Sequence, residues 1–123
     1  MNPNLTATDI KVFVPAKDYQ QSMRFYQALG WKLLVDHGKV AVMELGGVRF
    51  FLQDYYQKAW AHNFMLYINV EDVQAWYEHA KSVIENGAFG EAKIKAPEQQ
   101  AHGDIVCYVW DPGGALLHFA QAV

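Results

Sequence analysis

Twice along the chain the same order of signals recurs: an apolar strand pattern, an aspartate placed to cap a helix, an amphipathic helix, and three further strand-like runs. A repeated supersecondary unit limits the fold more than any single motif, because neither copy can bury its apolar face alone. In the first copy Ile10-Lys11-Val12-Phe13-Val14 alternates as a strand does and stops at Pro15. Asp18 is a helix N-cap, and Ser22, Phe25, Tyr26 and Leu29 recur at helical spacing before Gly30 ends the helix. Strands follow at 31–35, 39–45 and 48–53, separated by the turn signals Asp36-His37-Gly38 and Gly46-Gly47.

The second copy opens with a strand at 64–70 and a cap at Asp72. Val73, Trp76, Tyr77, Ala80 and Ile84 form its helical stripe, Asn86-Gly87 stops it, and strands are expected near 92–96, 104–110 and 115–121. Val14 aligns with Val70, and Gly46-Gly47 with Gly113-Gly114. Residues 54–63 join the copies and carry Tyr55, Tyr56 and Trp60, too aromatic for a solvated linker.

Composition narrows the function classes. At 123 residues the chain is read as one domain spanning 1–123, with internal modules at about 8–53 and 63–121. Its 52% hydrophobic content excludes disorder. A formal charge of −3 and the lack of a basic stripe exclude nucleic acid as a partner, and lean faintly towards cationic ligands. The single cysteine, Cys107, lies in an apolar run and reads as a buried hydrophobe. Neither a signal-peptide pattern nor a membrane span is legible, so a cytoplasmic protein with no membrane partner is expected. Aromatics reach 15%, more than a small core requires, which points to a ligand cavity.

Phe25-Tyr26-Gln27-Ala28-Leu29-Gly30-Trp31 and Asp111-Pro112-Gly113-Gly114-Ala115-Leu116-Leu117-His118-Phe119, set in paired β-α-β-β-β units, resemble the vicinal oxygen chelate superfamily of glyoxalases, extradiol dioxygenases and bleomycin-resistance proteins. Ile94-Lys95-Ala96-Pro97-Glu98-Gln99 is similar to the bleomycin-resistance branch. The resemblance runs from about Ile10 to Gln121. It implies an α+β fold in which two β-α-β-β-β modules form curved half-barrel sheets with helices on the outer face. It also implies a homodimer that binds an aromatic drug in clefts between subunits. Two features depart from that branch: His102 stands before Gly103 where a Trp is common, and the charge is less acidic.

Strand alternation then assigns faces. Ile10, Val12 and Val14, Val48, Phe50 and Leu52, Phe64, Leu66, Ile68 and Val70, and Leu117 and Phe119 are expected against the helices. Asp9, Lys11, Phe13, Arg49, Phe51, Gln53, Met65, Tyr67, Asn69, Leu116 and His118 are left for the cavity. The ligand positions of metal-dependent relatives carry over near Asp9, Phe51, Met65 and His118. Only Asp9 and His118 are chemically suitable, and a catalytic site generally needs three such ligands. No metal or other cofactor is therefore expected, with Asp9 and His118 as the weak candidates.

No nucleophile elbow, activated cysteine or phosphate loop is legible, so no catalytic residue is assigned. His37 and His79 read as surface residues. The expected function is sequestration of a small aromatic compound, cationic if the acidity of the chain is a guide. Phe13, Arg49, Phe51, Trp60, Tyr67, Asn69, His102 and His118 are the expected ligand contacts. The alternative is a metal-dependent glyoxalase-, lyase- or dioxygenase-like enzyme of the same fold.

Overall fold

The aspartates start both long helices. In the computed structural model, which describes residues 3–123, the order is β1 (Phe13–Pro15), α1 (Tyr19–Leu29), β2 (Lys32–Asp36), β3 (Val40–Leu45), β4 (Val48–Gln53), α2 (Lys58–Ala61), β5 (Met65–Asn69), α3 (Val73–Asn86), β6 (Lys93–Gln99), β7 (Ile105–Trp110) and β8 (Leu116–Gln121). Asp18 Oδ1 accepts from the Gln21 amide and Asp72 Oδ1 from the Ala75 amide, both at 3.0 Å. Each cap satisfies an amide that the first helical turn leaves unpaired, and contributes about 1 kcal/mol. Gly30 ends α1 at φ +117°, a conformation a side chain would strain.

The strands form two four-stranded sheets with the same plan, β1-β4-β3-β2 and β5-β8-β7-β6. In each, the strand before the helix pairs in parallel with the last strand of its half: Val14 with Leu52, Ile68 with Phe119. The Ala16 amide then bonds the Gln53 carbonyl as the Val70 amide bonds that of Ala120. Val14 is thus equivalent to Ile68, and Asp18 to Asp72. The sequence alignment of Val14 with Val70 is two residues out, because Pro15-Ala16-Lys17 follows Val14 whereas Glu71 alone stands between Val70 and Asp72.

One face of each sheet is covered by its helix. Val14, Met43, Phe50 and Leu52 close on Phe25, Tyr26 and Leu29, all essentially buried. In the second half Leu117, Val109 and Phe119 are buried, with Trp76 stacked on Phe119 at 4.6 Å and 12°. The halves are joined through α1 packing on α3. Tyr26 of α1 donates to Asp111 Oδ2 at 2.6 Å, and Asp111 also accepts from the Gly113 and Ala115 amides at 2.9 Å. His79 is exposed, as expected, and its Nε2 donates to the Ala28 and Leu29 carbonyls, each at 3.1 Å, satisfying the open end of α1 from α3.

The beginning of the chain departs from expectation. Strand pairing starts only at Phe13, and Ile10 and Val12 are 86% and 40% exposed rather than packed on the helix. Both stand before the first paired residue of β1, and Val12 turns to the seam between the sheets beside Trp31. Val48, at the hairpin tip, is likewise exposed. Pro15 is accommodated inside β1 because an edge strand has an unpaired side. The joining segment contains the one-turn α2, and β6 runs past Pro97 through a register shift between Lys95 and Glu98.

Candidate functional site

With helices on one side, the opposite face of each sheet is open, and alternation brings aromatic side chains to it. On the first sheet Phe13 lies beside Phe51 across the parallel pair, ring centroids 4.8 Å apart at 34°. Two cations flank them, each paired: Lys11 Nζ with Asp9 at 2.7 Å, and Arg49 Nε with Glu44 at 2.7 Å. Lys11 Nζ also stands 5.8 Å from the Phe51 ring centre.

The equivalent position of the second sheet holds Tyr67 beside His118, ring centroids 5.6 Å apart at 33°. Register extends this pair into a row, Tyr67–His118–Tyr108–Lys95, with a second row, Met65–Leu116–Trp110–Lys93, beneath it. His118 meets Tyr108 edge-on at 5.1 Å. The row ends are lysines over rings, Lys93 Nζ 4.8 Å from Trp110 and Lys95 Nζ 5.7 Å from Tyr108. A ligand reaching those two faces meets protein cations already placed on them.

Hydrogen bonds orient this face. His118 Nδ1 lies 3.1 Å from the Leu66 carbonyl, which can only accept, so Nδ1 carries a proton and, in the neutral ring, Nε2 is bare. The Tyr67 hydroxyl donates to Asp104 Oδ2 at 2.6 Å and sits 3.0 Å from His102 Nε2 on the β6–β7 hairpin. That bond to Asp104, with burial second, pushes the phenol up to about 12.

Arg49, Tyr67 and Asn69 meet at a cavity of about 290 Å³ on the seam between the sheets, together with Val12 and Trp31. The Trp31 indole N–H is buried there without an acceptor among the described residues. A larger hollow of about 440 Å³ lies at the foot of the second sheet among His62, Glu91, Lys93, Trp110 and Gly114.

The expected contacts therefore divide. Phe13, Arg49 and Phe51 occupy the open face of the first sheet; Tyr67, Asn69 and His118 occupy that of the second, with His102 at its rim. Trp60 stands apart on α2, its ring against Tyr55 at 5.7 Å and Phe64 at 6.0 Å. Asp9 and His118 are not brought together: Asp9 is tied to Lys11 and the Ile10 amide before β1, which holds its carboxyl below the usual range. Among the described residues no three of His, Cys, Asp and Glu converge as metal ligands. The donor set therefore does not fit a three-ligand divalent site. Burial pushes the Cys107 thiol up to about 11, far from a nucleophile at neutral pH.

Tyr108, Trp110, Asp104, Lys93 and Lys95 are not among the ligand contacts expected from the sequence. The signal for two of them was present: with Val109 inward, alternation turns Tyr108 and Trp110 outward. Asp104 had no such signal, since only the hairpin's closure brings it to Tyr67.

Comparison with known proteins agrees with this architecture. The family model described as Glyoxalase/Bleomycin resistance protein/Dioxygenase superfamily matches residues 10–119. A bleomycin resistance protein of Klebsiella pneumoniae is 27% identical over 111 residues, covering 88% of this chain and 87% of that one. The crystal structure of a bleomycin resistance determinant encoded on the transposon Tn5 superimposes with a TM-score of 0.80 at 25% identity, covering 94% of this chain and 98% of that one. A bleomycin-binding protein complexed with bleomycin gives a TM-score of 0.80 at 23% identity, covering 95% and 100%.

Proposed function

The chain belongs to the Glyoxalase/Bleomycin resistance protein/Dioxygenase superfamily, and we propose that it is a metal-free binding protein of the bleomycin-resistance type, acting in the cytoplasm. It sequesters a planar aromatic compound, cationic or rich in hydrogen-bond donors, in a cleft between two copies of the chain. The observation that carries this reading is the pair of open faces. Phe13, Met65 and Tyr67 are 44%, 61% and 46% exposed, on surfaces that one copy leaves uncovered. Apolar patches of this kind mark interaction sites.

Phe13 with Phe51 and Tyr67 with His118 supply flat faces for a ligand ring, each stacking contact contributing about 0.5–1.5 kcal/mol beyond burial. Arg49, Asn69, His102 and the bare Nε2 of His118 supply directional polar contacts that fix its orientation. Trp60 is a contact only if the second copy or the ligand reaches α2.

The test combines light scattering with a tryptophan-fluorescence titration by metal-free bleomycin. A dimeric mass at micromolar protein and saturable quenching at one drug per subunit support the reading. A monomeric mass, or a flat titration of folded protein, would sink it. Metal analysis of protein purified without chelator adds a third arm: stoichiometric metal lost on His118→Ala would give the enzyme alternative precedence.

A further inference from the structure

The hydrogen bonds at the rim of the second sheet have one consistent proton arrangement. The Asp104 carboxylate has only acceptors to offer, so at 2.6 Å the single Tyr67 hydroxyl proton points to it. The Tyr67 oxygen is then left to accept, and the group 3.0 Å away is His102 Nε2. That nitrogen must carry a proton. Asp104 Oδ2 stands a further 3.5 Å from the same Nε2, which favours the same placement. In the neutral ring the other nitrogen, Nδ1, is left as a bare acceptor. The His102 side chain is 58% exposed, so a ligand can reach the ring.

We infer that Asp104 is a positioning residue which, through Tyr67, locks His102 in its Nε2–H form and makes Nδ1 a fixed acceptor, so that the site selects planar ligands carrying an N–H or O–H donor. The inference rests on the reading of the open face as a binding site, and names the ligand class that this rim accepts. Asp104 touches no ligand in this scheme and acts only through the proton it directs. His118 repeats the logic in its own row: its Nδ1–H is fixed by the Leu66 carbonyl, and the other nitrogen is left to accept. Each imidazole therefore keeps one nitrogen free to accept, and Tyr67 lies between the two rings. Donor-poor rings gain the stacking but leave both acceptors unsatisfied, which disfavours them.

Long-range proton–nitrogen NMR spectra of the full-length, ligand-free protein at neutral pH read the first half of the inference. The expected result is His102 protonated at Nε2 and bare at Nδ1. In Asp104→Ala the Tyr67 proton is released to Nε2, and the ring should move towards the Nδ1–H form. Tyr67→Phe removes the hydroxyl through which Asp104 acts and should likewise move the ring towards the Nδ1–H form. A wild-type ring protonated at Nδ1, or an Asp104→Ala ring unchanged, overturns the inference, and unaltered dispersion elsewhere in the spectrum shows that the variant has folded.

The second half uses indole and 1-methylindole, two neutral planar probes that differ in one N–H. Wild-type protein should bind indole about five- to tenfold more tightly, the factor one hydrogen bond supplies. In Asp104→Ala that preference should shrink to the part that His118 Nε2, whose tautomer Asp104 does not set, still supplies. Because neither probe is charged, loss of the carboxylate's charge cannot produce the change. Equal affinities in the wild type, or a preference undiminished in Asp104→Ala, overturn the selectivity. Binding of neither probe, with the His102 proton where expected, overturns instead the reading of the open face as a binding site, and the selectivity falls with it.

Discussion

The two sheets share one plan and carry different surfaces. Phe13 beside Phe51 and Tyr67 beside His118 occupy equivalent positions, with nearly the same tilt of 34° and 33°. Around the first pair the polar groups neutralise one another, Lys11 with Asp9 and Arg49 with Glu44. Around the second, hydrogen bonds leave acceptors free, and Lys93 rests on Trp110 with no carboxylate within ion-pair distance among the described residues. The helix-covered face of each sheet must satisfy packing, so Val14, Leu52, Leu117 and Phe119 are interchangeable in kind. The open face is under no such constraint. One half can thus serve as an apolar platform while the other holds the directional groups.

The sharpest test of that division contrasts two neighbours on one strand. Phe50 is 2% exposed on the helix side, whereas Phe51 faces out beside Phe13. Phe50→Ala should lower unfolding free energy by about 3–5 kcal/mol. Phe51→Ala should lower it by less than about 1.5 kcal/mol, the scale of one exposed aromatic contact, while weakening ligand binding. Urea denaturation of both variants decides it, and equal losses would mean that the open face is ordinary core.

The join between halves makes the next prediction. Burial lifts the Asp111 carboxyl to about 6 from the ordinary 3.8, despite the bonds from Tyr26 and the Ala115 and Gly113 amides. Because the folded value is raised, the stability linked to this proton is fully present below pH 3.8 and is lost as pH rises through 6. A shift of that size carries on the order of 3 kcal/mol. The difference in unfolding free energy between wild type and Asp111→Asn, followed across this window, should change by a comparable amount. A pH-independent difference would remove Asp111 as its source.

Smaller effects separate the two glycine turns that the sequence aligns. Gly114 has φ +99°, and a Cβ there would lie 2.8 Å from the His62 ring; Gly46 has φ +59° and nothing within 4 Å. Gly114→Ala should cost about 1–3 kcal/mol and Gly46→Ala about 1 kcal/mol. Thermal unfolding of the pair checks the order; the reverse order would show that His62 moves aside freely. The least change is expected at Cys107: with its thiol raised to about 11, a thiol reagent should label native protein near pH 8 far more slowly than unfolded protein.

How much was legible follows from which force dominates at each residue. Asp18, Asp72 and Gly30 act within one turn of chain, and the helices begin and end where those residues direct. Phe13, Phe51, Tyr67 and His118 were assigned to the open faces by alternation, a property of any strand with one buried side. Ile10 and Val12 failed because alternation presumes a paired strand, and the ladder of β1 begins only at Phe13. Alternation gives no placement for Trp60, since it lies on the joining segment, and there α2 turns its ring against Tyr55 and Phe64.

By itself the sequence determined the repeat, the caps, the alternating faces and the family resemblance, because each depends on short-range periodicity or turn chemistry. Tertiary structure alone decided that Asp111 closes on Tyr26, that His79 caps α1 from another helix, and that Tyr67 meets His102 and Asp104. Those contacts join residues from 35 to 85 positions apart, and nothing in the local chain encodes which distant partner a hydroxyl or carboxylate will reach once the sheets have closed.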